Sequence, residues 1–584
     1  MNIDTRAQVA RLGRGALLAL FMCGAAGATM AAPAAKGPDP RDAKIEMLEQ
    51  QLQQMNQELA GLRSSGGASN EKLDQLQAQM NAFAAQIADI KGATDQATAD
   101  IITLKAPPTG STVTPTLPNG KIALATADGR FTANVRSVMQ FDTTQYFQAT
   151  PGCTVVSATC LTADNRRSGS GSGEAAHARD LNNGTNFRRA RLGLDGKVFG
   201  FVDYGVVYEF GGSGAEDAGH IHEMWLQYAP PQLKPFNAKI KVGAFEPVIG
   251  MEASVSTGSM ALMERASPAE VARNVAAGDS RSAIQFYGNG NVGEGSDQGI
   301  STYWMGSTAL TGNTVSTVNS TGGFASQPFD EQKAWIGRFA VAPHSGTDWL
   351  LHLGVSGQYV FRPADTGGPD VAATSRYTAQ FRDRIESRTD GTRFVDTGGI
   401  PAKDYWVVGL EAGFQMHNFY GEGEYFRYGI DRIAQPGIPN PRFSGWYLQG
   451  SYVLTGEPRV YNKVNGAFDG PAVAFPFNPM AGQWGAWEVA MRYSDLDLNF
   501  HQLTPAATAA ALTTAGSVRG GEQKIFTLGV NWYWNPTVRF MVDYSHVDIN
   551  RLSPSANFGV SGTPLGVQIG QKIDVISVRS QLQF

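Results

Sequence analysis

Arg382, Arg384, Glu386 and Arg388 occupy alternate positions in FRDRIESRTDGTRFVDTGG (381–399). Alternate side chains of an extended segment point the same way, so this stretch presents three guanidiniums on one side. Arg189 and Arg191 stand opposite in parity to the apolar Leu192 and Leu194, and Lys239 and Lys241 opposite Ile240 and Val242. Cations repeated at a strand's period can hold oxyanions and pass them on, with no nucleophile or metal. A guanidinium stays charged and offers paired N–H donors that match two oxygens of a phosphate. The plainer reading of each cation is an ion pair with an acid on the next strand. Asp195, Asp203, Glu209, Glu264, Glu386 and Glu411 are available. Between 374 and 395, five arginines (376, 382, 384, 388, 393) face three acids (383, 386, 390), which favours anions only by two.

Other chemistry has weaker support. His220 and His222 lie beside Glu223, but alternating histidines are ordinary on a polar strand face, and no metal site is expected. GEGEYF and GSGSGE lack the strand-to-helix unit that cradles a phosphate. No Ser/His/Asp arrangement follows from spacing, so neither an enzyme nor a cofactor is expected. The formal net charge of −5 gives no overall basicity for nucleic acid.

The elements carrying these cations read as strands. Val202, Tyr204, Val206, Tyr208 and Phe210 share one face; so do Leu351, Leu353, Val355, Tyr359 and Phe361. Phe526, Leu528, Val530, Trp532 and Trp534 form another such face, and Val538, Phe540, Val542 and Tyr544 the next. The last two strands are joined by Asn535-Pro536, a tight turn, and a long loop then precedes VISVRSQLQF (575–584). There Ile576, Val578, Leu582 and Phe584 alternate with Ser577, Arg579, Gln581 and Gln583. No apolar run after the N-terminus is long enough for a spanning helix, but a spanning strand needs only about ten residues, half of them apolar. Short turns alternating with long loops, and aromatics near strand ends, point to an all-β transmembrane barrel with its greasy face in lipid. Sixteen antiparallel strands over 121–584 leave about 29 residues for each strand and its connection; fourteen or eighteen fit nearly as well.

Three segments precede the barrel. Residues 1–34 read as a signal peptide: Arg6, Arg11 and Arg14, then an apolar, small-residue core. Residues 41–105 carry a 3-4 apolar repeat from Ile45 through Leu104, the seam of a coiled coil about 95 Å long at about 1.5 Å per residue. Residues 106–120 form a Pro/Gly-rich linker. Cys153 and Cys160 suit a small disulfide loop in an oxidising compartment.

Several segments together resemble the phosphate-selective porin O and P family. They are FRRARLGLDGKVFGFVDYGVVYEFGG (187–212), KVGAFEPVIGMEASVSTGSMALMERASPAEV (241–271), the arginine-rich 381–399, YVLTGEPRVY (452–461), GAWEVAMRYSDLDLN (485–499) and TLGVNWYWNPTVRFMVDYSHVD (527–548). The resemblance runs in order through nearly all of 121–584. It implies a sixteen-stranded outer-membrane barrel assembling as a homotrimer that passes small anions such as phosphate and chloride. The coiled coil lies outside the resemblance and is expected in the periplasm, where a trimer would supply its partner helices. It places Arg265 on a constriction loop and assigns the anion path to Arg189, Arg265, Arg382 and Arg384, beside the parity candidates Arg191, Lys239, Lys241 and Arg388. It makes Phe584 the residue read by the outer-membrane insertion machinery. One departure stands out: 247–272 contains no lysine, whereas phosphate-specific members owe affinity partly to a lysine there. An anion-preferring or general porin is therefore expected over a phosphate-specific one. A barrel serving mainly to tether the rod to peptidoglycan is the competing expectation.

Overall fold

The computed structural model describes 114–116 and 122–584, apart from 149–180, 212–218, 231–235, 279, 293–300, 316–329, 346–348, 366, 368 and 557–564, together with scattered positions between 47 and 88. The chain divides into two units, 1–111 and 112–584. In the first, the described positions are helical, Met47, Gln50, Gln54, Gln57, Ala78 and Ala85 among them, and nearly all are exposed. The apolar seam, the signal segment, Cys153 and Cys160 lie outside the described residues. Of the linker only Thr114–Thr116 is described, as a strand paired with Ala123–Ala125.

The second unit is a closed barrel of sixteen antiparallel strands, as expected. They are β1 (Thr132–Gln148), β2 (Gly184–Val198), β3 (Val202–Glu209), β4 (His220–Tyr228), β5 (Lys239–Phe245), β6 (Arg281–Val292), β7 (Ser301–Thr314) and β8 (Lys333–Ser345), followed by β9 (Trp349–Arg362), β10 (Ile400–Met416), β11 (Phe419–Arg432), β12 (Arg442–Val453), β13 (Ala486–Phe500), β14 (Val518–Tyr533), β15 (Val538–Asn550) and β16 (Lys572–Gln583). Each pairs with the next, and β16 closes on β1 from Ile573 opposite Gln148 to Gln583 opposite Val138. Backbone bonds between Phe584 and Ser137 finish the seam. Closure leaves no open edge, which a strand set in lipid requires.

Alternation sorts the side chains as the sequence implies. On β16, Ile576 and Val578 face outward while Arg579 and Gln581 are buried inside. Leu353, Val355, Phe526, Leu528 and Val542 face outward, and His352, Gln358, Thr527 and Asp543 inward. The β14–β15 turn spans four residues. Asn535 Oδ1 accepts the backbone N–H groups of Thr537 and Val538, both at 2.8 Å, so the asparagine side chain shapes the turn.

One connection breaks the expected rhythm. Residues 454–485, between β12 and β13, lie at the end otherwise closed by short turns, yet they reach into the barrel as a hairpin, Arg459–Asn462 with Ala467–Pro471. Phe468 at its centre is fully buried against Tyr420, Tyr461 and His352. Its tip needs Gly466, whose φ is +57°. The tip carbonyls of Asn465 and Gly466 accept from Arg338 on β8, at 2.5 and 2.7 Å. From the opposite end, 246–280 and 363–399 also fold inward. The first carries α1 (Ser267–Ala276).

Candidate functional site: an arginine-lined passage

Carboxylates pin the first inward loop to the wall. Glu424 on β11 accepts the backbone N–H groups of Met251 (2.8 Å) and Glu252 (3.1 Å). Asp543 on β15 accepts that of Met263 at 2.8 Å. Glu386, on the second inward loop, accepts that of Ser267 at 2.7 Å and also holds Arg492. Two loops with few elements of their own are thereby fixed to the rigid barrel.

Two cavities run through the space they leave. The larger, about 590 Å³, lies toward the long-loop end. Nine arginines line it (188, 189, 191, 265, 273, 382, 384, 388, 393) against three acids (Glu209, Glu270, Asp383), a surplus of six basic over acidic side chains. The smaller, about 310 Å³, lies toward the turn end and includes Arg136 and Lys241 against Glu223, Glu246 and Asp469. Arg191, His222 and Arg265 line both cavities and mark the neck between them.

The cations differ sharply in how they are paired. Arg191 Nε sits 2.6 Å from Glu209, directly across the β2–β3 hairpin. Arg388 lies 2.9 Å from Glu270 and 3.6 Å from Glu264. Arg189 donates to Gln140 at 2.6 Å and stands 4.0 Å from Glu264. Lys241 lies over the Trp225 ring, 4.1 Å from its centroid, and Lys239 over Tyr287 at 5.7 Å, both facing inward. By contrast, Arg265, Arg382, Arg384 and Arg393 have no carboxylate in ion-pair contact among the described residues. Arg265 reaches only the carbonyls of Ala253 and Val255, at 3.4 and 3.5 Å. Burial, reinforced by the like charges of Arg388 and Arg393, pulls the Arg384 guanidinium down to about 10. A mobile anion would relieve that crowding.

Glu264 is the hub of the paired set. Its carboxylate accepts from Arg188 at 2.7 and 3.0 Å and from Arg579 at 2.7 Å. Burial opposes its ionisation, but Arg188, Arg579 and Arg189 hold it well below the usual carboxylate range. Asp383 is different: burial pushes its carboxyl up to about 6 against the pull of Arg388.

Sequence parity missed Arg188, Arg273 and Arg393. Arg188 lies next to Arg189 and so belongs to the opposite face of a regular strand. A β-bulge changes this: Gln140 faces Arg189 and Phe141 faces Phe187, leaving Arg188 as an extra residue. Both arginines then reach the interior, while Phe187 stays outside against Phe141. Arg273 lies on α1 and pairs with Glu246 and Glu270.

The sequence matches the model of the family described as phosphate-selective porin O and P over residues 167–584. The chain belongs to that family. It is an outer-membrane porin, a channel that passes anions. Porin O of Pseudomonas aeruginosa is 25% identical over 386 residues, covering 63% of this chain and 77% of that one. Among solved structures, an anion-selective porin from Comamonas acidovorans is 11% identical, covering 78% of this chain and 100% of that one, with a TM-score of 0.41. The outer membrane channel DcaP of Acinetobacter baumannii is 9% identical, covering 79% and 99%, with a TM-score of 0.38.

Proposed function

We propose that the porin selects small anions through the four arginines of the larger cavity that have no carboxylate partner among the described residues, rather than through all the cations in its lumen. The nine-to-three excess of arginines over acids around the larger cavity carries this reading. Anions enter at the long-loop end, where Arg382, Arg384 and Arg393 gather them. They pass the neck at Arg265, the one cation shared by both cavities that carries no carboxylate partner, and leave past Lys241. Inside a narrow, low-dielectric wall a fixed charge acts strongly on a passing ion, so placement outweighs the overall charge of −5. Arg191 and Arg388 are largely neutralised and serve the wall. The lysine-free constriction loop (247–272) favours a general preference for anions over a dedicated phosphate site.

The test is the reversal potential of the reconstituted protein in a KCl gradient, followed by phosphate titration of the chloride current. Chloride preference with weak phosphate block supports the reading. Cation preference, or none, refutes it, and strong block at low phosphate would restore a phosphate-specific channel.

We further propose that the helical rod over 41–105 is a periplasmic coiled coil joining three copies of the chain. Its support is the 3-4 apolar repeat together with the polar, exposed character of the described helical positions. Deleting 36–106 should leave conductance intact and weaken the trimer on native gels. If the deletion instead abolishes binding to peptidoglycan, the rod is a tether.

A further inference from the structure

The second half of the 454–485 connection does not enter the barrel. From Pro471 to Trp487 the sequence PAVAFPFNPMAGQWGAW carries no charge. It forms a compact lobe outside the turn end, built on a 3-10 turn at Pro479–Ala481. Met480 at the tip is 97% exposed, and Phe475 and Trp484 are exposed beside it. Five of its backbone N–H groups are bonded within the protein. Phe477 N–H donates to Trp534 O, Asn478 N–H to Gln483 O, Ala481 N–H to Asn478 O, Gly482 N–H to Pro479 O, and Gln483 N–H to Asn478 O. Pro476 and Pro479 have no N–H to leave open. A charge-free turn with many of its backbone donors paired within the protein is suited to the interfacial depth of a membrane, where the remaining donors meet lipid headgroups.

The lobe is also continuous with the lipid-facing wall. Phe477 stacks on Trp534 at 5.0 Å and meets Trp532 edge-on at 5.4 Å. Trp532 stacks in turn on Trp487 at 5.2 Å and donates its indole N–H to Trp484 O at 2.8 Å. Trp532 belongs to the outward set of β14, with Leu528 and Val530.

We propose that the lobe around Met480 is a membrane anchor that dips into the phospholipid headgroup region of the leaflet at the turn end. Aromatic and apolar side chains are favoured at that depth. The anchor grips lipid beyond the barrel wall and braces the same connection whose first half enters the lumen.

The experiment uses the full chain with Cys23, Cys153 and Cys160 changed to Ser, reconstituted in phosphatidylethanolamine/phosphatidylglycerol vesicles. An environment-sensitive fluorophore is attached at Met480→Cys or, as a control, at Ala506→Cys on an exposed long-loop segment. Nitroxide lipids labelled near the headgroup should quench position 480 about threefold more than position 506, with iodide showing the reverse order. Iodide access at 480 equal to that at 506 would overturn the proposal. Protection at 480 from both quenchers would also overturn it, because protein rather than lipid would then cover the lobe.

Discussion

Glu264 acts as an anion already seated among the arginines, and removing its charge should sharpen the channel. Its carboxylate lies 2.7 Å from Arg188, 2.7 Å from Arg579, 3.6 Å from Arg388 and 4.0 Å from Arg189. Glu264→Gln keeps the shape and one acceptor oxygen but frees a positive charge, mostly on Arg188, which lines the larger cavity. One unit charge acting across about 8 Å at an effective dielectric of about 20 is worth about 2 kcal/mol. Screening over about 10 Å at 0.1 M salt reduces this to about 1 kcal/mol. With tenfold per 1.4 kcal/mol, anion affinity in the passage should rise about fivefold. The readout is the chloride-over-potassium permeability ratio from reversal potentials, with phosphate block of the chloride current measured alongside. Unchanged heat-modifiable gel mobility checks that the barrel is intact. An intact variant with unchanged or lower anion preference would refute the view that Glu264 competes with passing anions.

Arg265→Ala should lower chloride preference and weaken phosphate block about fivefold by removing a unit charge at the neck, while Arg191→Ala should change selectivity less, because Glu209 already offsets it; paired bilayer recordings check the contrast. Asp383 should make selectivity pH-dependent. Its carboxyl, pushed up to about 6, is neutral at pH 5 and charged at pH 7.5, so anion preference falls across that interval and Asp383→Asn removes the fall. Because the folded form binds that proton more tightly, Asp383 stabilises the fold below its unfolded pKa, and this contribution is lost as pH rises through about 6. Arg579→Leu strands the buried carboxylates of Asp142 and Glu264 and should cost about 3–5 kcal/mol, read as a lower temperature for loss of the folded gel band. Replacing 460–471 with a short glycine linker empties part of the lumen and should raise single-channel conductance about twofold, with weaker selectivity.

The barrel was legible because its signal is local. Period-two alternation put Leu353, Phe526 and Ile576 on one face and His352, Thr527 and Arg579 on the other, while spacing alone allowed fourteen to eighteen strands and the family resemblance pointed to sixteen. The Arg191–Glu209 pairing was also within reach, since the short turn at Phe199–Phe201 puts the two residues opposite each other across 18 positions. The family resemblance pointed to a constriction loop around Arg265, but the contacts that hold it inside were not legible. What holds 246–280 inside is a set of carboxylates from remote strands, such as Glu424 on Met251 and Asp543 on Met263, separated by 173 and 280 residues. No periodicity records such contacts. For the same reason sequence could nominate Arg265 and Arg384 but not separate them from the neutralised Arg388. The hairpin within 454–485 was missed because turns at that end are normally short, and nothing in its spacing announces that it enters the lumen.

The extra residue at Arg188 bears on how channels of this kind diverge. On a regular strand, gaining a lumenal charge means exchanging one side chain for another and losing whatever the first one did. At this bulge, inserting or deleting a single codon would add or remove a charge at the water-filled face while leaving Phe187 and Leu192 on their lipid-facing side. Comparisons of relatives that treat a one-residue gap near this point as noise would misplace the guanidiniums, and with them the inferred selectivity.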